Sequence, residues 1–200
     1  MLILPNPAIV LLLLGAAVVS QGHVVAWGAW KQVALASGQQ TKIRPLVIDG
    51  RVKEYAIGEP HQITETLSVA RRVIRLNNAL PNEPAKHPEW VWQLDGWISI
   101  NSGTGHISEL KLPEFESHSS EASWFQDYAA YCGATEDGNL RHMVIFQLGR
   151  RTPVLRKELH GHSCPAPAWE RDPTRVTFEP AGGSKVSFAI HDGSAELQSR

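Results

Sequence analysis

Charged residues are missing from the beginning of the chain, since the first 30 of its 200 residues include no Lys, Arg, Asp or Glu. Within this part, residues 8–19 (AIVLLLLGAAVV) form a 12-residue apolar run. Spanning a bilayer takes about 20 residues, whereas a run of this length is typical of a signal peptide. We therefore expect a signal peptide at 1–20, with cleavage as late as 26, and a single domain at 27–200 without a membrane span. A buried strand or an uncleaved anchor is the alternative, because no Lys or Arg precedes the run.

Net charge is also nearly absent, at −1 with a pI near 6.8. A nucleic-acid-binding domain usually carries a strong basic patch, and this balance gives no electrostatic footprint for nucleic acid. The densest basic cluster is Arg71, Arg72 and Arg75. We expect it to form a solvated strand face rather than a binding surface.

Common catalytic and nucleotide-binding motifs are missing. The sequence contains no Gly-x-Ser-x-Gly, no Walker loop, no Gly-x-Gly-x-x-Gly and no His-Glu-x-x-His. A triad dispersed along the chain stays open, because geometry rather than chain order defines triads. The sequence therefore leans towards a protein that is not an enzyme, and it predicts no cofactor.

Cysteine is scarce, with only Cys132 and Cys164 in the chain. An even count after an export signal predicts one disulfide. The metal-site alternative comes from HGHSC, in which His160, His162 and Cys164 lie on one side if the segment is a strand. His142 is the preferred further ligand, with His118 and Asp127 as other candidates. A bridge to Cys132 would occupy the sulfur, so we favour the disulfide and no metal.

Long uninterrupted segments are few, because 13 prolines and 16 glycines break up the chain. Apolar alternation around turn residues predicts hairpins at Asp49-Gly50, Asp95-Gly96, Ser102 to Gly105, Glu136 to Asn139 and Gly182-Gly183. This rhythm predicts an all-β fold of antiparallel sheets built of short hairpins, a β-sandwich or propeller-like. Residues 63–80 fit either a helix or a strand, and we choose a strand.

Aromatic residues concentrate in the predicted hairpin EWVWQLDGWISIN. A two-residue turn at Asp95-Gly96 would place Trp90, Trp92, Leu94 and Trp97 on one face. Rigid aromatic rings on a sheet can stack on sugars. The sequence holds seven tryptophans, which is many for a surface patch, so we interpret them first as core.

Two carboxylates, Glu114 and Glu116, lie two residues apart in LPEFESH. Such a pair is a candidate for acid/base chemistry, because both would share one face of a strand. Acidic residues on a solvent-facing edge are the commoner arrangement.

Several segments carry a family resemblance. The segments SWFQDYAAYCG, EDGNLRHMVIFQLGRRTPVL, CPAPAWERDPTRVTFEPAGG and VIDGRVKEYAIGEPH resemble a group of uncharacterised exported bacterial proteins. The resemblance implies an exported all-β domain in which Cys132 and Cys164 both belong to the pattern, which favours their bridge. It carries no activity, cofactor or site residue. The rhythm from Trp124 to Leu155 is similar to a propeller blade, a likeness of fold only.

Together these features predict an extracytoplasmic protein, periplasmic or secreted, with a non-catalytic binding or structural role in the cell envelope. Its expected partner is an envelope component or a glycan. The alternatives are a metal-dependent hydrolase using His160 and His162, perhaps with His142, and a carbohydrate-binding module using Trp90, Trp92 and Trp97.

Overall fold

The computed structural model describes residues 22–79, 88–135, 137–138, 140–159 and 164–198. Within these ranges all regular secondary structure is β-strand, which confirms the predicted all-β class. The strands are β1 (Val25–Trp27), β2 (Lys31–Ala34), β3 (Gln40–Ile48), β4 (Arg51–Gln62), β5 (Leu67–Asn77), β6 (Trp90–Asn101), β7 (His106–Leu110), β8 (Ser123–Phe125), β9 (Tyr128–Ala134), β10 (Arg141–Gln147), β11 (Leu155–Glu158), β12 (Ala168–Arg171), β13 (Thr174–Phe178), β14 (Val186–His191) and β15 (Ser194–Gln198). In this part of the chain no helix is long and apolar enough to cross a membrane.

The strands form three antiparallel sheets. A large sheet has the order β1-β3-β4-β5-β6-β7, with β2 also paired to β3. A middle sheet has the order β11-β10-β9-β8, and an outer sheet has the order β12-β13-β14-β15. Most neighbours in space are also neighbours in sequence, as expected for connected hairpins.

The middle sheet is buried on both faces. Alternate residues of β9 and β10 point to opposite sides. One side contributes Ala129, Tyr131, Val144 and Phe146 to a cluster with Val69 and Trp97 of the large sheet. The other side contributes Tyr128, Ala130, Cys132, Met143 and Ile145 to a cluster with Val176, Phe178, Phe188 and Ile190 of the outer sheet. The three sheets therefore stack as layers in a sandwich-like arrangement, with the middle sheet between the other two.

Three of the predicted hairpins are present. At Asp49-Gly50 both residues have positive φ, 51° and 75°, as a type I′ turn requires, and Ile48 pairs with Arg51 across it. A turn at 102–105 joins β6 to β7, and the Gly182-Gly183 segment joins β13 to β14. The Glu136 to Asn139 turn lies partly outside the described residues, but β9 and β10 pair on either side of it.

The predicted hairpin at Asp95-Gly96 is wrong. Strand β6 continues through both residues and pairs with β5, which confirms the strand chosen for residues 63–80. Arg71 pairs with Trp97 and Val73 with Leu94, so two residues of β6 lie opposite Arg72 alone, as in a β-bulge. The Asp95 carboxylate accepts hydrogen bonds from Arg72 Nε at 2.6 Å and Nη2 at 2.5 Å. This ion pair on the neighbouring strand satisfies Asp95 without a turn.

The large sheet curls at the end where β2 lies. Leu35, directly after β2, forms a parallel bridge with Trp92 of β6, and the Ala36 amide donates to the Trp92 carbonyl at 2.7 Å. Because β2 also pairs with β3, the beginning of the sheet folds back towards β6. Beneath this closure is an apolar cluster of Leu35, Ile43 and Val73 with Val33, Tyr55, Ile57, Trp92 and Leu94.

A disulfide joins Cys132 to Cys164, with 6.0 Å between their Cα atoms, as the sequence predicts. Cys132 is on β9 of the middle sheet, and Cys164 precedes β12 of the outer sheet. Both pack in the apolar cluster between these sheets. The bridge therefore fastens the outer sheet covalently to the middle one.

Replacing both cysteines, Cys132→Ala and Cys164→Ala together, should lower the free energy of unfolding by ~3–4 kcal/mol. The bridge spans a sequence separation of 32 residues. Closing a loop of that length in the unfolded chain gives roughly this effect in the chain-entropy model. Urea unfolding at neutral pH measures it, and each single variant should lose about as much as the double variant. An unfolding midpoint that does not change on reduction of the unsubstituted protein would contradict the bridge.

Candidate functional site

The structure describes only some of the predicted metal ligands. His160 and His162 lie outside the described residues, while His142 is buried on β10. Among the residues that are described, no three His, Cys, Asp or Glu side chains are close enough to share a metal ion. The metal-dependent hydrolase hypothesis therefore stays a prediction.

The three tryptophans proposed for sugar binding lie in different surroundings. Trp90 is half exposed, with the Arg75 guanidinium 5.5 Å from its ring centroid. Trp92 packs edge-on against Tyr55 at 4.9 Å. Trp97 is buried and packs edge-on against Trp124 at 5.3 Å.

The candidate acid/base residue Glu114 belongs to a tightly held loop. Its carbonyl accepts from the Ala134 amide at 2.9 Å, and a Cβ on Gly133 would lie 2.7 Å from that same oxygen. Its carboxylate lies 2.6 Å from Arg156 Nη2 and 3.0 Å from His142 Nδ1. The hydrogen bond from Arg156 holds the pKa of Glu114 below its ordinary value of 4.5. Glu114 is thus an ionised structural anchor, which is the opposite of what a general acid needs.

A cavity of about 310 Å³ lies between the large sheet and the segment 118–122, which we call the roof. Its apolar lining includes Ile57, Leu94 and Trp97, and its polar lining includes Gln39, Arg71 and His118. The lining thus combines apolar side chains with converging polar groups, as small-molecule sites do. Of the site residues proposed from the sequence, Trp97 and His118 line this cavity.

Arg71 is the unusual residue of this cavity. It is only 8% exposed, although we expected the Arg71, Arg72 and Arg75 cluster to form a solvated face; of the three, Arg75 alone is exposed. Its Nη2 donates to the Ser117 carbonyl at 2.6 Å and its Nη1 to the Ser120 carbonyl at 3.4 Å. The guanidinium also lies 4.5 Å from the Phe115 ring centroid. The prediction for Arg71 was wrong because the residue sits between Val69 and Val73 on the buried face of β5.

Burial lowers the pKa of Arg71 to about 10, against the smaller opposite effects of Asp95, Glu121 and Glu116. The side chain is therefore still charged at neutral pH. In the described part of the chain, no carboxylate lies within ion-pair distance of it, and its Nε has no hydrogen-bond partner. Trp97 Nε1, in the same cavity, is buried without a partner as well. A buried guanidinium that lines a cavity without a carboxylate partner marks that cavity as a candidate binding site.

The burial of Arg71 could have been predicted from its neighbours in the sequence. In a strand, residues two apart share a face, so Val69 and Val73 already placed Arg71 on an apolar side. A cation between two apolar residues of one face is a buried-charge pattern. The roof could not be predicted, because the carbonyls that accept from Arg71 belong to residues more than 40 positions away along the chain.

Comparison of the chain with known proteins finds no family model, curated protein or solved structure that matches it.

Glu114→Gln should lower the free energy of unfolding at pH 7 by ~1–2 kcal/mol, because it removes a charge-assisted hydrogen bond. The pKa of this carboxyl is depressed in the folded state, so its contribution is complete above about pH 4.5 and is lost as the pH falls through the folded value. The difference between the variant and the original protein should therefore shrink by pH 3. Urea unfolding at both pH values measures it, with Glu109→Gln, at an exposed position of β7, as the matched control. A difference that is equal at pH 7 and pH 3 would contradict the assignment.

Proposed function

We propose that the chain is an exported, disulfide-bridged β domain with a non-catalytic binding role in the cell envelope, and that the cavity at Arg71 is its binding site. The observation that carries this proposal is the buried guanidinium without a carboxylate partner, set beside an apolar wall. A buried charge is costly unless it is compensated, so such a group is usually kept for a purpose.

One feature supports export, and the contacts of residues 23–27 favour the earlier cleavage site. Disulfides form and persist in oxidising compartments, so the Cys132–Cys164 bridge fits an extracytoplasmic location. Strand β1 pairs with β3 over Val25 to Trp27, and His23 Nδ1 lies 2.7 Å from the Asp49 carboxylate. Cleavage after residue 20 would leave these contacts intact, whereas cleavage after 26 would cut β1. The earlier site is therefore part of the proposal.

The groups around the cavity support binding rather than catalysis. Hydrolytic triads need a hydroxyl hydrogen-bonded to a base that is itself oriented by a third group. Here Ser120 Oγ donates to the Cys132 carbonyl at 2.7 Å, and Ser119 Oγ donates to the Glu116 carboxylate. His118 Nε2 lies 3.1 Å from the Gln93 amide nitrogen. These bonds organise the roof.

A variant that blocks the cavity tests the proposal. Ala166 is exposed and lines the cavity, so Ala166→Trp should place an indole at the mouth without disturbing the core. Fragments that bind the original protein in ligand-observed NMR should lose at least about tenfold in affinity with this variant, because their space is taken.

The matched control is Ala181→Trp, at an exposed position of the β13–β14 turn. Fragment binding should be unchanged there. Equal binding to both variants, or no fragment bound by the original protein, would refute the cavity as the site.

A further inference from the structure

We infer that the cavity at Arg71 takes a small monocarboxylate with a short apolar body, whose carboxylate binds the Arg71 guanidinium. This inference rests on the proposed function and names the ligand class of the same site. Charge, donor chemistry and the shape of the cavity each support it.

Four other arginines of the described chain are each paired with a carboxylate, whereas Arg71 is not. Arg44 is paired with Glu59, Arg72 with Asp95, Arg156 with Glu114 and Arg175 with Glu170. Arg71 is more deeply buried than any of these four, and yet only carbonyl oxygens and an aromatic ring contact it. The carbonyl oxygens of Ser117 and Ser120 accept hydrogen bonds from the guanidinium but do not neutralise its charge. An anion bound in the cavity would supply the missing negative charge.

Neighbouring carboxylates do not supply that anion. Asp95 is bound to Arg72, and Glu116 accepts from Ser119. Glu121 lines the cavity but is exposed, at the solvent end of the roof. Its charge disfavours a multiply charged ligand, and Arg71 is the single Lys or Arg of the lining. One fixed positive charge facing one exposed negative charge favours a monoanion over a phosphate dianion.

The donor set fits a carboxylate. A guanidinium presents its donors in a planar fork that matches the two oxygens of a carboxylate, and Arg71 brings such a group to the lining of the cavity. An anion at this guanidinium would gain charge-assisted hydrogen bonds, which are roughly twice as strong as hydrogen bonds between neutral groups.

The apolar residues of the lining and the volume of the cavity favour a ligand with a short apolar part. Ile57, Leu94 and Trp97 are apolar, and the volume of about 310 Å³ is at the small end of the range for ligand pockets. A short branched, linear or aromatic carboxylate matches this combination. Neutral glycans present neither the charge nor the apolar body.

The test compares acids with their neutral amides on the full chain with its disulfide intact. The probes are benzoate, 3-methylbutanoate and hexanoate, each matched with the corresponding amide, and the readout is isothermal titration calorimetry at pH 7. At least one acid should bind 10-fold or more tightly than its amide, because the amide lacks the charge. Inorganic phosphate should not displace it.

Substitutions then locate the anion. Arg71→Met should weaken binding of the acid by ~30-fold or more and abolish the preference for the acid over its amide, while Arg71→Lys should retain part of that preference. The matched control is Arg75→Met, four residues along β5 and exposed, which should bind as the original protein does. Circular dichroism checks that each variant folds, and the comparison of acid with amide needs no variant.

The outcomes separate this inference from the proposed function. If amides bind as tightly as acids, or if phosphate displaces the acid, the carboxylate inference is overturned while the cavity remains a binding site. If fragments bind elsewhere and neither acids nor amides respond to Ala166→Trp, both fail. An acid preference that Arg71→Met abolishes and Arg75→Met keeps supports both.

Discussion

Burial of the middle sheet on both faces is the constraint on which the rest of the structure depends. It requires apolar or small residues at successive positions of β9 and β10, and YAAYC and HMVIF supply them. Each large side chain so buried contributes ~1.5–3 kcal/mol before the entropy of ordering is subtracted. The same sheet also binds the roof of the cavity and the loop that precedes it. Tyr131 donates to the Pro113 carbonyl at 2.6 Å, and the Cys132 carbonyl accepts from Ser120 at 2.7 Å.

The roof and the large sheet meet at Arg71, which gives that residue a double role. Its two terminal nitrogens bind the carbonyls of Ser117 and Ser120, so the guanidinium pins the roof to β5. Its charge is left without a carboxylate among the described residues. A neutral donor would pin the roof at a lower desolvation cost, so geometry alone does not account for an arginine here. Under the proposed function, this charge serves an anion that enters the cavity.

What the sequence could predict follows from the range of the interactions involved. The Asp49-Gly50 turn was predictable because its positive φ values are a local property of the dipeptide. The same dipeptide at 95–96 forms a bulge instead, because Arg72 of the neighbouring strand binds Asp95. The disulfide was predictable from the cysteine count and an inferred compartment. The cavity was not, since Arg71 of its floor and Ser120 of its roof lie 49 residues apart along the chain.

Aromatic contacts connect the cavity to the stacking of the sheets. Trp97 of the large sheet packs on Trp124 of the middle sheet at 5.3 Å, and Phe125 of the middle sheet packs on Trp169 of the outer sheet at 5.5 Å. Strand β8 therefore carries two adjacent rings that face different layers. A ligand on Trp97 would adjoin the first of these contacts, and it would bind only where the large and middle sheets are in place. Such selective binding to the folded chain adds RT ln(1 + [L]/Kd) to its stability, about 2.7 kcal/mol at a hundredfold excess of ligand over Kd. Occupancy of the cavity and cohesion of the layers are thus thermodynamically linked.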